Sequence, residues 1–247
     1  MNALLRQTAL ETKLFLRSRD GLFWTLAFPI FFIVLFGLIY GDTMWDDLNL
    51  RAIDFILPGI IVLALLVTGI MATTTGFVEE REKGIYRRLS LTPLKKHNII
   101  GGQIINRYLV MLVQTFLLVL IGVLAFKVSI IGNYFLFWLT LTLGGLCLLT
   151  LGFALTGFIR STKSATPIAM IIFFMLMFLG GVLFPVDIMP KFLEYIAIAL
   201  PSTHLSDALR MIAIEGQGIG DVWSDLLIVG GWTIGCFAVS IRFFRWE

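Results

Sequence analysis

EEREKGIYRRLSLTP, residues Glu79–Pro93, is a dense block of charge set between two long apolar runs. Glu79 and Lys83 lie four residues apart, the spacing that supports a helical turn. Gly84 then lets the chain bend, because it enters backbone conformations closed to other residues. Thr92-Pro93 has the pattern of an N-cap followed by a first-turn proline, so a new helix is expected to start there. The stretch is predicted as helix, break, short helix and restart, in water at the edge of a membrane. It holds no catalytic constellation. Its shape is that of a contact surface on which another protein pushes.

The membrane follows from composition. Of 247 residues, 58% are hydrophobic and only 14% charged, where soluble domains carry about 25% charged residues. The net charge of +3 does not indicate nucleic-acid binding, because basic residues in a membrane chain record topology. Six apolar runs lie near 22–40, 54–78, 108–126, 134–159, 165–184 and 223–241, each close to the roughly 20 residues that cross a bilayer as helix. Pro29 and the Pro58-Gly59 pair are expected to bend the first two. The N-terminal region, 1–21, is too charged to span and is not expected to be a cleavable leader. Its Arg6, Lys13 and Arg17 share one helical stripe, with Leu5, Ala9 and Leu16 on another face. It is predicted as an amphipathic helix in the headgroup layer, basic side outward, with an ordinary water-exposed leader as the alternative.

With six spans and the amino terminus inside, 15 of the 19 lysines and arginines fall on inner segments. That bias sets both termini and the Glu79–Pro93 stretch in the cytoplasm. The inner loop between the second and third runs is then 79–107. The outer segment 185–222 contains an apolar stretch too short to span, broken at Pro201. Two short helices dipping into the outer leaflet fit it, since re-entrant backbone is tolerated where protein covers it; a hairpin lying on the headgroups is the other option. The expected fold is therefore an all-α membrane protein. It has six transmembrane helices over 22–247, an N-terminal interfacial helix, and an extracellular re-entrant helical hairpin before the last span.

Motifs for chemistry are missing. The sequence has no G-x-x-x-x-G-K-[ST], so no P-loop of its own, and no G-x-S-x-G or H-E-x-x-H. Glu79-Glu80 resembles the start of the glutamate-glutamate-x-x-x-arginine motif of CAAX-type intramembrane proteases, but Gly84 stands where that motif needs arginine. Cys147 and Cys236 lie in apolar runs and read as small buried hydrophobes. His97 and His204 fall on opposite sides of the membrane. No ionisable residue occupies the centre of a run; Asp54 and Arg107 stand at run edges, where snorkelling is the expectation. The polar residues inside are neutral, chiefly threonines expected to bond back to their own helices. That weighs against an ion-coupled carrier and suits a conduit for an apolar or amphipathic substrate. Gly231-x-x-x-Gly235 is expected to pack within the fold.

Two stretches carry a resemblance. EEREKGIYRRLSLTPL, Glu79–Leu94, is similar to the cytoplasmic coupling loop of the membrane subunits (permeases) of ABC-2-type exporters. GGVLFPVDIMPKFLEYIAIALPSTHLSDALR, Gly180–Arg210, is similar to that family's fifth-helix end and extracellular re-entrant helices. The resemblance covers essentially the whole chain. It implies two permeases, alike or related, in a bacterial or archaeal inner membrane, docked on two separately encoded nucleotide-binding ATPases. ATP and magnesium would be bound by those ATPases, with no cofactor or metal in this chain and no nucleic-acid partner. Glu79, Glu80, Arg81, Glu82 and Lys83 would hold the loop by charge pairing. Tyr86, Leu89 and Leu91 would be apolar anchors, with Gly84, Arg88 and Pro93 in the same coupling element. Phe184, Pro185, Pro190 and Pro201 would shape the outer gate, and Arg6, Lys13 and Arg17 would ride on inner-leaflet lipid. The cargo would be a drug, antibiotic, lipid or lipid-linked glycan. A non-transport assembly or sensing module of the same fold, or a secondary carrier, are the rival readings.

Overall fold

An apolar run inside a bilayer has no water for its amides and carbonyls, so helix is the conformation that satisfies them. The computed structural model describes residues 3–41, 43–45, 50–90, 96–183, 186 and 189–243. In chain order the helices are α1 (Ala3–Arg17), α2 (Arg19–Tyr40), α3 (Ala52–Glu82), α4 (Ile85–Ser90), α5 (Lys96–Phe126), α6 (Tyr134–Thr156), α7 (Thr162–Leu179), α8 (Lys191–Ala199), α9 (Pro201–Ala213) and α10 (Ile219–Phe243). Six of them, α2, α3, α5, α6, α7 and α10, are long and apolar enough to cross a membrane. Between α2 and α3 lies a two-residue antiparallel pairing absent from the sequence reading, β1 (Met44–Trp45) with β2 (Leu50–Arg51), Met44 opposite Arg51.

Helix α3 is the axis. In its most apolar window 78% of residues are buried, against 22% in α2 and α10, and it packs on α2, α5, α6, α7 and α9. Within α3 the turn over Val67–Ala72 is π-helical, and α6 crosses there. A Cβ on Gly152 would fall inside contact distance of the Gly69 carbonyl oxygen, and one on Gly69 would lie 2.8 Å from Leu148 Cβ. These two glycines let the backbones touch. The glycines singled out in the last span do not: a Cβ on Gly231 or Gly235 meets nothing within 4 Å. Both face outward, because α10 turns other residues, Val222, Leu226, Val229, Cys236 and Ser240, into the protein.

The prolines expected to bend the first two spans both lie within helix. Near Pro29 the chain forms a π-helical turn over Phe23–Ala27, in which Phe28 N–H donates to the Phe23 carbonyl; proline supplies no N–H of its own, and the wider turn falls just before it. Pro58 lies inside α3, and the irregular turn of that helix is at Gly69 instead. Among the threonines, Thr75, Thr150 and Thr156 do bond back to their own helices. Thr74 instead reaches Gly152 O on α6 at 3.0 Å, and Thr68 reaches Gln114 on α5 at 2.8 Å.

Between the fifth and sixth apolar helices, α8 and α9 meet at an extended Leu200, and Pro201 opens α9. Helix α9 is buried over most of its length against α3, α6, α7 and α10. Its Ser202, Ser206 and Arg210, spaced by four, face the end of α7. Ser202 Oγ donates to Leu176 O and Ser206 Oγ to Gly180 O, each at 3.0 Å. Arg210 Nη1 and Nη2 donate to the carbonyls of Gly181 (2.7 Å) and Val182 (3.0 Å). The carbonyls of Gly180, Gly181 and Val182, just past the end of α7, thus find donors on a neighbouring helix. Arg210 also lies 4.2 Å over the Phe55 ring of α3. Pro190 is exposed ahead of α8 and Pro201 is buried; Phe184 and Pro185 lie outside the described residues.

Candidate functional site

Helix α3 leaves the apolar body at Glu79–Glu82, and there its side chains bind the other helices. Arg81 donates to Thr156 O (3.0 Å) and to Ile159 O, at the end of α6 and just after it. Glu82, the next residue, accepts from the Thr162 amide at 2.7 Å and from the Thr162 hydroxyl, at the first residue of α7. Ser161, the N-cap of α7, makes no side-chain cap of its own, so Glu82 serves as the acceptor that a helix start requires. Two consecutive residues of opposite sign therefore hold the two ends of the α6–α7 connection. Glu79 pairs with Lys83 on the exposed side.

Gly84 has φ +67°, in the region that glycine occupies without steric cost, and the chain turns there into α4. Arg88 Nη2 returns to Lys83 O at 3.1 Å. Tyr86 points inward and is 3% exposed. Its ring stacks on Phe77 at 6.4 Å and 18°, and Phe77 meets Phe153 of α6 edge-on at 4.9 Å. Leu89 is half-buried against this cluster, while Arg87 and Arg88 are exposed. Leu91 and Pro93, with the N-cap at Thr92, lie outside the described residues.

The Tyr86 hydroxyl shares its proton between Glu80 Oε2 (2.8 Å) and Gln103 Oε1 (2.9 Å). Gln103 Nε2 also donates to Glu80. Arg107, one turn further along α5, does not snorkel to the edge. It turns inward, donates to Ala72 O at 2.7 Å and lies 4.8 Å over the Phe77 ring. Burial and the neighbouring Glu80 carboxylate raise the Tyr86 pKa, so its hydroxyl remains a neutral donor.

Helix α1 joins this cluster by its polar side. Gln7 and Thr8 are buried against α5, where Gly102 leaves room for them; a Cβ there would lie 2.6 Å from Gln7 Cγ. Thr12 donates to Asn106 Oδ1 at 2.9 Å, and Gln7 to Glu11 Oε1 at 2.9 Å. Burial, and then Glu80, raise the Glu11 pKa, opposed by Gln7, Gln103 and Arg107. Arg6, Lys13 and Arg17 are exposed, and so are Leu5, Leu10, Leu14 and Leu16. The leucine and cation stripes are both outward, and the stripe turned to α5 is the polar one of Gln7, Thr8, Glu11 and Thr12.

Of the residues expected to couple, the structure thus joins Glu80 and Tyr86 to α5, Arg81 to the end of α6, and Glu82 to α7. It leaves Glu79, Lys83 and Arg88 near the surface. The residues that the sequence reading missed are Glu11, Gln103, Arg107 and Thr162. Gln103 and Arg107, four apart at the head of an apolar run, were the available signal. Among the described residues no cluster of histidine, cysteine, aspartate or glutamate can hold a metal.

Six apolar helices, with Glu80, Arg81 and Glu82 at α3's end tied to three of the others, define a multi-pass membrane protein of packed helices. The chain belongs to the ABC-2 type transporter family, which it matches over residues 3–214. It is 26% identical over 231 residues to the putative transport permease YvfS of Bacillus subtilis, covering 93% of this chain and 91% of that one. It is 26% identical to the probable multidrug ABC transporter permease YbhR of Escherichia coli, over 80% of this chain and 54% of that protein. Identity is 27% to the ABC transporter G family member 20 of Dictyostelium discoideum, over 81% of this chain but 28% of that longer protein.

Proposed function

We propose that this chain is the permease subunit of an ABC exporter, worked by a separate ATPase that seats α4. The observation that carries this is the set of ties at the end of α3. Residues 80–82 connect it to α5, α6 and α7 at once, so displacement of α4 reaches four spans as one body. In this reading Tyr86 is an internal strut, and the ATPase contacts the exposed side of α4, with Arg87 and Arg88. The distribution of basic residues favours α4 and both termini on the cytoplasmic side, in a bacterial or archaeal cell on this reading. The α8–α9 pair, covered by protein on the α9 side, is the re-entrant outer gate, with Pro190 and Pro201 at its bends. Helix α1 lies along the inner leaflet, Arg6, Lys13 and Arg17 toward headgroups and its exposed leucines toward acyl chains.

An apolar or amphipathic cargo fits spans whose central polar side chains are uncharged. The buried polar tie between α3 and α5 is Thr68 to Gln114, with Gln114 Nε2 on Ala64 O at 3.1 Å. YbhR is named a multidrug permease, and a further relative, 24% identical over 88% of this chain, is named the daunorubicin resistance permease DrrB1 of Streptomyces coeruleorubidus. A pair of permeases, alike or related, would enclose the path, and ATP and magnesium would be held by the ATPases.

The test is co-purification from a mild detergent extract of the source cells, wild type beside Arg87→Glu/Arg88→Glu, with the retained proteins identified by mass. A P-loop ATPase held by the wild type and lost from the variant is the expected result. An ATPase retained equally by both moves the contact off α4. No ATPase with either chain refutes the reading.

A further inference from the structure

Helices α6 and α10 pack together along much of their length, and an apolar groove of about 530 Å³ lies between them. Its walls are Leu151, Leu155 and Phe158 on one side and Ile228, Trp232 and Val239 on the other. Most of these residues are exposed or half-exposed, so the groove opens outward. Gly231 and Gly235 form its floor, and the space above both is empty to 4 Å. The Trp232 ring is held in place by its Nε1–H on Ala199 O at 3.2 Å.

From Ile228 to Val239 the groove runs about 16 Å along α10, the depth of one hydrocarbon leaflet of a bilayer about 30 Å thick. It lies toward the end of the bundle that carries α4. The Phe158 and Phe243 rings, 5.2 Å apart, close it there. Next to this ring pair in sequence stands an exposed arginine in each chain segment, Arg160 two residues after Phe158 and Arg242 immediately before Phe243. Neither has a hydrogen-bond or ion-pair partner among the described residues.

We propose that this groove binds one acyl chain of an anionic phospholipid, with the headgroup at Arg160 and Arg242. The apolar walls match a hydrocarbon chain, the length matches one leaflet, and the two cations follow the groove's last lining residues in sequence, which suits an anionic headgroup. A second copy of the chain fits less well. Docked symmetrically on this face, it would bring the same arginines toward each other. The site is separate from the ties of α3 and does not rest on the proposed ATPase partner.

The test is native mass spectrometry of the full chain in detergent, titrated with phosphatidylglycerol or with phosphatidylcholine of the same acyl chains. The wild type is expected to retain one phosphatidylglycerol, about tenfold or more over phosphatidylcholine. Gly231→Leu/Gly235→Leu fills the groove where the fold has open space, and replaces glycine by a better helix former, so it should fold with an unchanged melting midpoint. It is expected to lose the retained lipid. Arg160→Gln/Arg242→Gln should keep a lipid but bind both kinds alike. Phosphatidylglycerol retained by the filled variant, or no preference in the wild type, overturns the proposal. A filled variant that instead loses a dimer mass assigns the face to a second copy, which also overturns it.

Discussion

Tyr86→Phe removes one oxygen from the cluster beneath α4 and leaves everything else in place. The ring is 3% exposed and stacked on Phe77, and phenylalanine keeps that contact and the buried area. What disappears is the proton shared with Glu80 at 2.8 Å and Gln103 at 2.9 Å. A hydrogen bond to a charged partner contributes about 1.5–3 kcal/mol. For a chain of this length each kcal/mol moves the midpoint by roughly 2–4 °C, so the melting midpoint in detergent should fall by about 3–12 °C. The effect should be the same at pH 6 and pH 9, because burial raises the Tyr86 pKa and the hydroxyl does not ionise across that interval. Glu80→Ala combined with Tyr86→Phe should cost less than the sum of the two single changes, since each removes the one shared bond. A Tyr86→Phe midpoint equal to wild type, or strict additivity in the double variant, would refute the placement of the hydroxyl.

Other changes have equally definite outcomes. Glu11 has its pKa raised by burial and by Glu80, so the folded chain holds a proton longer than the unfolded one. Its contribution to stability is present below the ordinary glutamate range near pH 4 and is lost as pH rises through the raised value; Glu11→Gln should flatten the fall in melting midpoint between about pH 4 and neutrality, and an unchanged profile counts against it. Gly152→Val places a side chain in the Gly69 carbonyl and should cost about 3 kcal/mol or more, read as lost monodisperse protein on size exclusion, whereas Gly235→Ala should be neutral or slightly stabilising. Gly84→Ala, at φ +67°, should lower stability by about 1–2 kcal/mol; Gly84→Asn should recover part of that, and equal midpoints for all three would contradict the turn.

Much of the architecture was legible in the sequence because length and apolarity decide a span, and Gly84 after Glu79–Lys83 decides a break. Contacts were less legible. In a soluble helix the apolar stripe faces inward, but a membrane rewards apolar surface on the outside as well. Hence the last-span glycines, read as a packing seam, face outward, while Gly69 and Gly152, which no Gly-x-x-x-Gly spacing marks, make the closest crossing. Helix α1 shows the same limit: its periodicity separated the cations from the leucines, but the stripe that packs is Gln7, Thr8, Glu11 and Thr12, because the α5 surface beneath offers Gly102, Gln103 and Asn106. Arg107 looked like an edge residue by position in the run. Its partners, Ala72 O and the Phe77 ring, belong to another helix, and one-dimensional spacing does not bring those within reach.

Arg81 and Glu82 make the α6–α7 connection a hinge whose pin belongs to a third helix. Successive residues on an α-helix point about 100° apart, so the two grips act in different directions around the axis of α3. If α3 slides along its axis, both grips shift together and the hinge keeps its opening. If α3 rolls, Arg81 and Glu82 swing along different arcs, and the ends of α6 and α7 are drawn apart or pressed together. The α6–α7 connection is thus gripped from two directions around α3, by Arg81 on one side and Glu82 on the other.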